Sequence, residues 1–143
     1  MNKSYSYDSF LYGVVYYPEQ WPEPRWDSDL ARIAETGMNV VRMGEGAWSI
    51  WEPEEGRYDF ALFDRALELC QKHGLKAIMG TPTYTPPVWL TERYPEVSRV
   101  SFDGTRLTQM VPGAPTTTPH PFTRKNLGPL SRRWHNTTSI IRQ

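Results

Sequence analysis

Apolar positions in the first hundred residues fall into short, nearly uninterrupted runs separated by stretches of helical spacing. Leu11 to Tyr17 (LYGVVYY) is an aromatic and β-branched run that predicts a strand. A proline-rich turn follows, and then a helix from about Pro24 to Thr36 with Trp26, Leu30, Ile33 and Ala34 on one face. Gly37 ends it, and Val40 to Met43 predicts a second strand. A second helix is expected over Asp59 to His73, with Asp59 as N-cap and Phe63, Ala66, Leu67 and Cys70 as its inner stripe. After Gly74, Lys76 to Gly80 reads as a third strand leading into TPTYTPPVWL, where Pro86 and Pro87 either open a helix or hold a loop extended.

The stretches GMNVVRMG from Gly37 and GLKAIMGT from Gly74 repeat a glycine cap plus buried strand after 37 residues. Continuous apolar strands joined by helices fit parallel βα units, which leaves a doubly wound sheet or a (β/α)8 barrel. No glycine-rich phosphate fingerprint follows any strand, whereas aromatic-rich segments follow the strand C-termini, where barrel enzymes build their sites. The expected fold class is therefore α/β, a partial (β/α)8 TIM barrel of about three βα units followed by an irregular tail.

Composition changes this picture at its end. The chain has 143 residues, 38% of them hydrophobic, which suits one domain. Neither an apolar stretch of about 18 residues nor a secretory leader pattern is present, so a cytoplasmic location without membrane partners is expected. The single cysteine, Cys70, reads as a buried thiol, and no metal or other cofactor is expected. All sixteen acidic residues and ten of the sixteen basic ones lie in residues 1–104, a net charge of −6 balanced by +6 beyond. The basic, Pro- and Thr-rich end has no Lys/Arg run longer than two, so no nucleic-acid partner is assigned.

The segment Val40 to Phe60 runs an apolar stretch into Arg42 and then crowds two tryptophans and five carboxylates, a mixture suited to sugar, whose apolar faces stack on indole and whose hydroxyls bind carboxylate and guanidinium. Against that stands ordinary packing of Trp48, Trp51 and Trp89, which are left as packing residues. Glu52, Glu54 and Glu55 lie in a Pro- and Gly-bounded loop and are expected to be solvated. Arg42 interrupts an apolar run at a strand's C-terminal end, where a charge must find a partner. A structural ion pair with Glu45 is one reading of it and a substrate-site role is the other.

Four motifs carry a family resemblance: Tyr-Tyr-Pro-Glu-Gln-Trp at 16–21, Arg-Met-Gly-Glu-Gly-Ala-Trp-Ser at 42–49, Glu-Pro-Glu-Glu-Gly-Arg-Tyr-Asp-Phe at 52–60 and Gly-Thr-Pro-Thr at 80–83. Over residues 11–107 the chain resembles the opening of a glycoside hydrolase family 42 β-galactosidase. The resemblance implies a (β/α)8 catalytic barrel, a terminal non-reducing β-D-galactoside as substrate, and retention through a covalent glycosyl-enzyme without a metal. It also implies a homotrimeric parent, and a substrate-binding Arg42 that orients the nucleophilic carboxylate. In the family the acid/base glutamate follows the fourth strand and the nucleophile the seventh. Neither is expected here, Glu45 is not a candidate for either, and the fragment is expected to be inactive.

After Asp103 to Arg106 the family's continuation is missing, and 108–143 reads as an aberrant tail, frame-shifted or disordered. Translating the family's continuation one base out of frame reproduces Val111 to Ala114 and Thr123 to Thr138 with permitted codons, while Pro115 does not fit without a substitution. A non-catalytic carbohydrate-binding module and a fragment of another (β/α)8 glycosidase family remain open alternatives.

Overall fold

The computed structural model of the chain describes residues 10–82, 85–98, 100 and 102–104. Three strands and four α-helices occur in these segments, besides two short 3-10 turns: β1 (Gly13–Val15), α1 (Glu23–Glu35), β2 (Val40–Met43), α2 (Trp48–Trp51), α3 (Ala61–Lys72), β3 (Lys76–Met79) and α4 (Val88–Arg93). The strands form one parallel sheet in the order β1-β2-β3. Each new strand is added on the same side as the last, which is how a barrel wall grows.

β2 occupies the expected Val40–Met43, and α1 and α3 lie within two residues of the expected bounds. β1 is shorter than its apolar run because its ladder spans only the register Gly13↔Val40 to Val15↔Arg42. The α3 N-cap position is Phe60, but Asp59 still serves the helix start, its Oδ1 accepting from the Ala61 N–H at 3.0 Å. Pro86 and Pro87 precede a helix, with Pro87 at the N-cap of α4. The tail over 108–143 lies outside the described residues.

Paired residues of parallel strands point the same way, so the register divides the sheet into two faces. Val41, Met43, Ala77 and Met79 join Trp26, Leu30, Phe63, Ala66 and Cys70 in the core between sheet and helices. Val15, Arg42 and Ile78 stand together on the opposite face and are exposed. Across the outer surface Arg65 binds Glu23 at 2.7 Å and Lys72 binds Asp27 at 2.7 Å, tying α3 to α1. Such exposed pairs stabilise by about 0–1 kcal/mol each, so the docking of α3 rests on its apolar stripe.

Cys70 measures that docking. Its side chain is buried, and burial pushes the thiol up to about 12. At pH 8 only about one thiol in 10⁴ would be ionised, against roughly a quarter in an unfolded chain. A disulfide reagent should therefore leave Cys70 unlabelled in buffer over a time in which the urea-unfolded chain reacts completely. Equal rates in the two solvents would mean that α3 is not packed on the sheet.

Candidate functional site

The three strands end level with one another. The Tyr16 N–H donates to the Arg42 carbonyl at 2.9 Å and the Gly80 N–H to the Met43 carbonyl at 2.8 Å, carrying the ladder just past the strand ends. Four side chains gather at this rim: Tyr17 and Glu19 after β1, Arg42 at the end of β2, and Glu45 just beyond it.

Arg42 rises from the exposed sheet face between Val15 and Ile78. Its Nε donates to Glu45 Oε1 in a close ion pair. That hydrogen bond, and then the carboxylate's charge, hold the guanidinium above its ordinary pKa. Glu45 is largely shielded from solvent, and its main-chain carbonyl accepts from Thr85 Oγ1 at 3.3 Å. Burial raises the Tyr17 phenol above the usual range, with the negative charge of Glu45 as the next cause. Glu19 is also raised, mainly by burial and in smaller part by Glu45, so its neutral form persists to higher pH than that of a free carboxyl. The rim thus concentrates a fixed cation, a shielded carboxylate, a carboxyl of raised pKa and a phenol, groups able to donate to and accept from hydroxyls.

The loop behind the rim departs from expectation at one residue. Glu52 is not solvated but fully buried: its carboxylate accepts from Trp48 Nε1 at 2.8 Å and from the Gly56 N–H at 2.9 Å. Its carbonyl accepts from Trp89 Nε1 at 2.8 Å. A buried carboxylate needs such donors, and the Trp48 indole and the Gly56 amide supply them. Glu54 is exposed beside Arg57, and Glu55 binds Arg93 at 2.7 Å. Trp48 and Trp51 are fully buried and offer no face to a sugar, while Trp89 is half-buried and packs against the same core.

Of the two readings of Arg42, the ion pair with Glu45 is present, and it lies at the strand-end rim that the substrate-site reading requires. Sequence reasoning passed over Tyr17, Glu19 and Gly80 as site residues. The available signal was the placement of Tyr-Tyr-Pro-Glu directly after β1, at the end of a barrel strand where functional groups collect. Among the described residues no group of three or more His, Cys, Asp or Glu side chains is placed to hold a metal ion, and no helix is long and apolar enough to cross a membrane.

The glycoside hydrolase family 42 model, described as β-galactosidase, matches residues 15–133. The chain belongs to this family. It is 50% identical over 96 residues to β-galactosidase BgaA of a Thermus species, covering 67% of this chain and 15% of that protein. It is 50% identical over 93 residues to β-galactosidase BgaH of Haloferax lucentense, covering 65% of this chain and 14% of the other. Among solved structures it is similar to the β-galactosidase of the Antarctic haloarchaeon Halorubrum lacusprofundi, with a TM-score of 0.79 and 35% identity over 87% of this chain and 18% of that one. The enzyme of psychrophilic Marinomonas ef1 gives a TM-score of 0.78 at 32% identity over 87% of this chain and 20% of that one. The family 42 chain thus spans about a seventh of the curated relatives it matches, and its three βα units are part of a (β/α)8 barrel.

Proposed function

We propose that these residues are the first three βα units of a retaining β-galactosidase that hydrolyses terminal non-reducing β-D-galactosides, and that the 143-residue chain alone is inactive. The observation that carries the reading is the family match joined to the position of Arg42, a paired cation at a β-strand C-terminus on the sheet face that lines a closed barrel. A retaining glycosidase uses two carboxyl groups about 5–5.5 Å apart, one as acid/base and one as nucleophile. In this reading both come from later strands, and Arg42 binds at the substrate site, holding the nucleophile ionised by a charge-assisted hydrogen bond. The galactoside is the partner, no catalytic metal takes part, and the parent is a cytoplasmic homotrimer.

Residues from about 111 onward are, in the same proposal, family sequence read one base out of frame. The curated relatives align over 93 to 96 residues of the chain, while the family model matches as far as residue 133. Sequencing the gene across codons 105–112 and restoring the open frame should yield an enzyme that releases β-galactose as the first-formed anomer, seen by proton NMR. Arg42→Ala in that enzyme should lower kcat/KM by about 10²–10³, as loss of a charge-stabilising donor does. The 143-residue chain should release no galactose. Hydrolysis by that chain, or α-anomer from the restored one, would overturn the reading.

A further inference from the structure

Glu45 occupies a position that no step of the proposed chemistry uses, yet it touches all three strand ends. Its Oε1 accepts a hydrogen bond from Nε of Arg42 at the end of β2, and after burial its charge is the next cause that raises the phenol of Tyr17 after β1. Its side chain also lies directly on Gly80 after β3: a Cβ added there would meet Glu45 Cγ at 2.4 Å, Cδ at 2.5 Å and Oε1 at 2.8 Å. A carbon substituent there fits only if the Glu45 carboxylate moves off it. The absence of a side chain at Gly80 thus lets the Glu45 carboxylate lie directly on the backbone, and no positive φ requires glycine there.

The guanidinium is planar, with its donors in a fixed fork. Fixing Nε fixes the direction of both Nη groups. The guanidinium is hydrogen-bonded to Glu45, while the rest of the side chain remains half-exposed on the open sheet face. A surface ion pair between freely moving chains would contribute little, but here one partner is shielded and seated on backbone from another strand.

We propose that Glu45 is the positioning residue of the site: it holds Arg42 by Nε, with Gly80 as its seat, so that the Nη fork is presented to the bound galactoside or its carboxylate nucleophile. What Arg42 then contacts rests on the function proposed above. Its placement does not, and can be tested separately.

The test is arginine modification of the full 143-residue chain by phenylglyoxal at pH 8, with peptide mass mapping and with Arg57 and Arg65 as internal references. The reagent attacks neutral guanidine, so a carboxylate held against Arg42, which favours the charged form, slows it. Arg42 should react severalfold more slowly in buffer than in urea. Glu45→Gln removes the charge, and Gly80→Ala displaces the carboxylate from the opposite strand. Each should restore most of the Arg42 rate while Arg57, Arg65 and the protection of Cys70 stay unchanged. Because both act on one contact, the double variant should exceed neither single by more than about twofold. Equal Arg42 rates in buffer and urea, no response to Glu45→Gln, or multiplying effects in the double variant would overturn the proposal. Loss of Cys70 protection in Glu45→Gln would also overturn it, by assigning Glu45 to the fold. Should Gly80→Ala alone expose Cys70, Glu45→Gln decides. A restored enzyme without galactosidase activity would refute the proposed function and leave the Arg42 result standing.

Discussion

Trp51→Ala should abolish cooperative folding of this chain. The indole is fully buried, meets Phe63 edge-on at 5.0 Å between ring centroids, and thereby joins the loop after β2 to α3. It also covers Gly44, whose φ of +95° and ring contact, 2.8 Å from an added Cβ to the indole, leave room for no other residue. Truncating a buried tryptophan costs about 3–5 kcal/mol, while a whole domain of this size has about 5–15 kcal/mol in hand. Three strands with one sheet face open lie at the low end of that range. The expected result is loss of near-UV dichroism and labelling of Cys70 in buffer at least 10²-fold faster, since about 3 kcal/mol corresponds to a factor above 100 in the open population. Trp21→Ala is the control: Trp21 is exposed, lies beneath the Arg25 guanidinium at 4.4 Å, and should cost no more than about 1 kcal/mol. Equal responses of the two variants would remove Trp51 from the core.

What could be read from the sequence was local. Val40 to Met43 is legible because four apolar or strand-compatible residues follow a helix-ending glycine, and α1 and α3 because Trp26, Leu30, Phe63, Ala66 and Cys70 recur at helical spacing. Arg42 is legible for the same reason, as a charge in a run that otherwise excludes charge. The four-residue helix Trp48–Trp51 is a single turn, too short to show a period. The convergence of Tyr17, Arg42, Glu45 and Gly80 is not legible in any window, because it depends on three strands ending level across more than sixty residues of chain. Glu52 misleads for a related reason. Its neighbours Pro53, Glu54, Glu55 and Gly56 look like a solvated turn, and one of the donors that hold it, Trp89, lies 37 residues away.

That buried glutamate carries the second large effect. Glu52→Ala would leave the Trp48 indole N–H and the Gly56 amide without the carboxylate oxygens that accept from them at 2.8 and 2.9 Å. An orphaned buried donor costs about 1–3 kcal/mol, and the vacated side-chain volume adds a cavity term, so about 3 kcal/mol is expected. Glu52→Gln keeps one acceptor oxygen and most of the volume, but its amide nitrogen would face a donor. About 1–2 kcal/mol follows, with either Trp48 or Gly56 left unpaired. Glu54→Ala, two residues on and exposed, should change stability by no more than about 0.5 kcal/mol. Cys70 labelling rates convert directly into these differences, and the predicted order is Ala well above Gln at position 52, with position 54 indistinguishable from the unaltered chain. If Glu52→Ala matched Glu54→Ala, the carboxylate would be solvated and its bonds from Trp48 and Gly56 would not form. If Gln and Ala at 52 were equal, space would matter and the hydrogen bonds would not. Only the graded result requires a carboxylate that both fills its site and accepts from both donors.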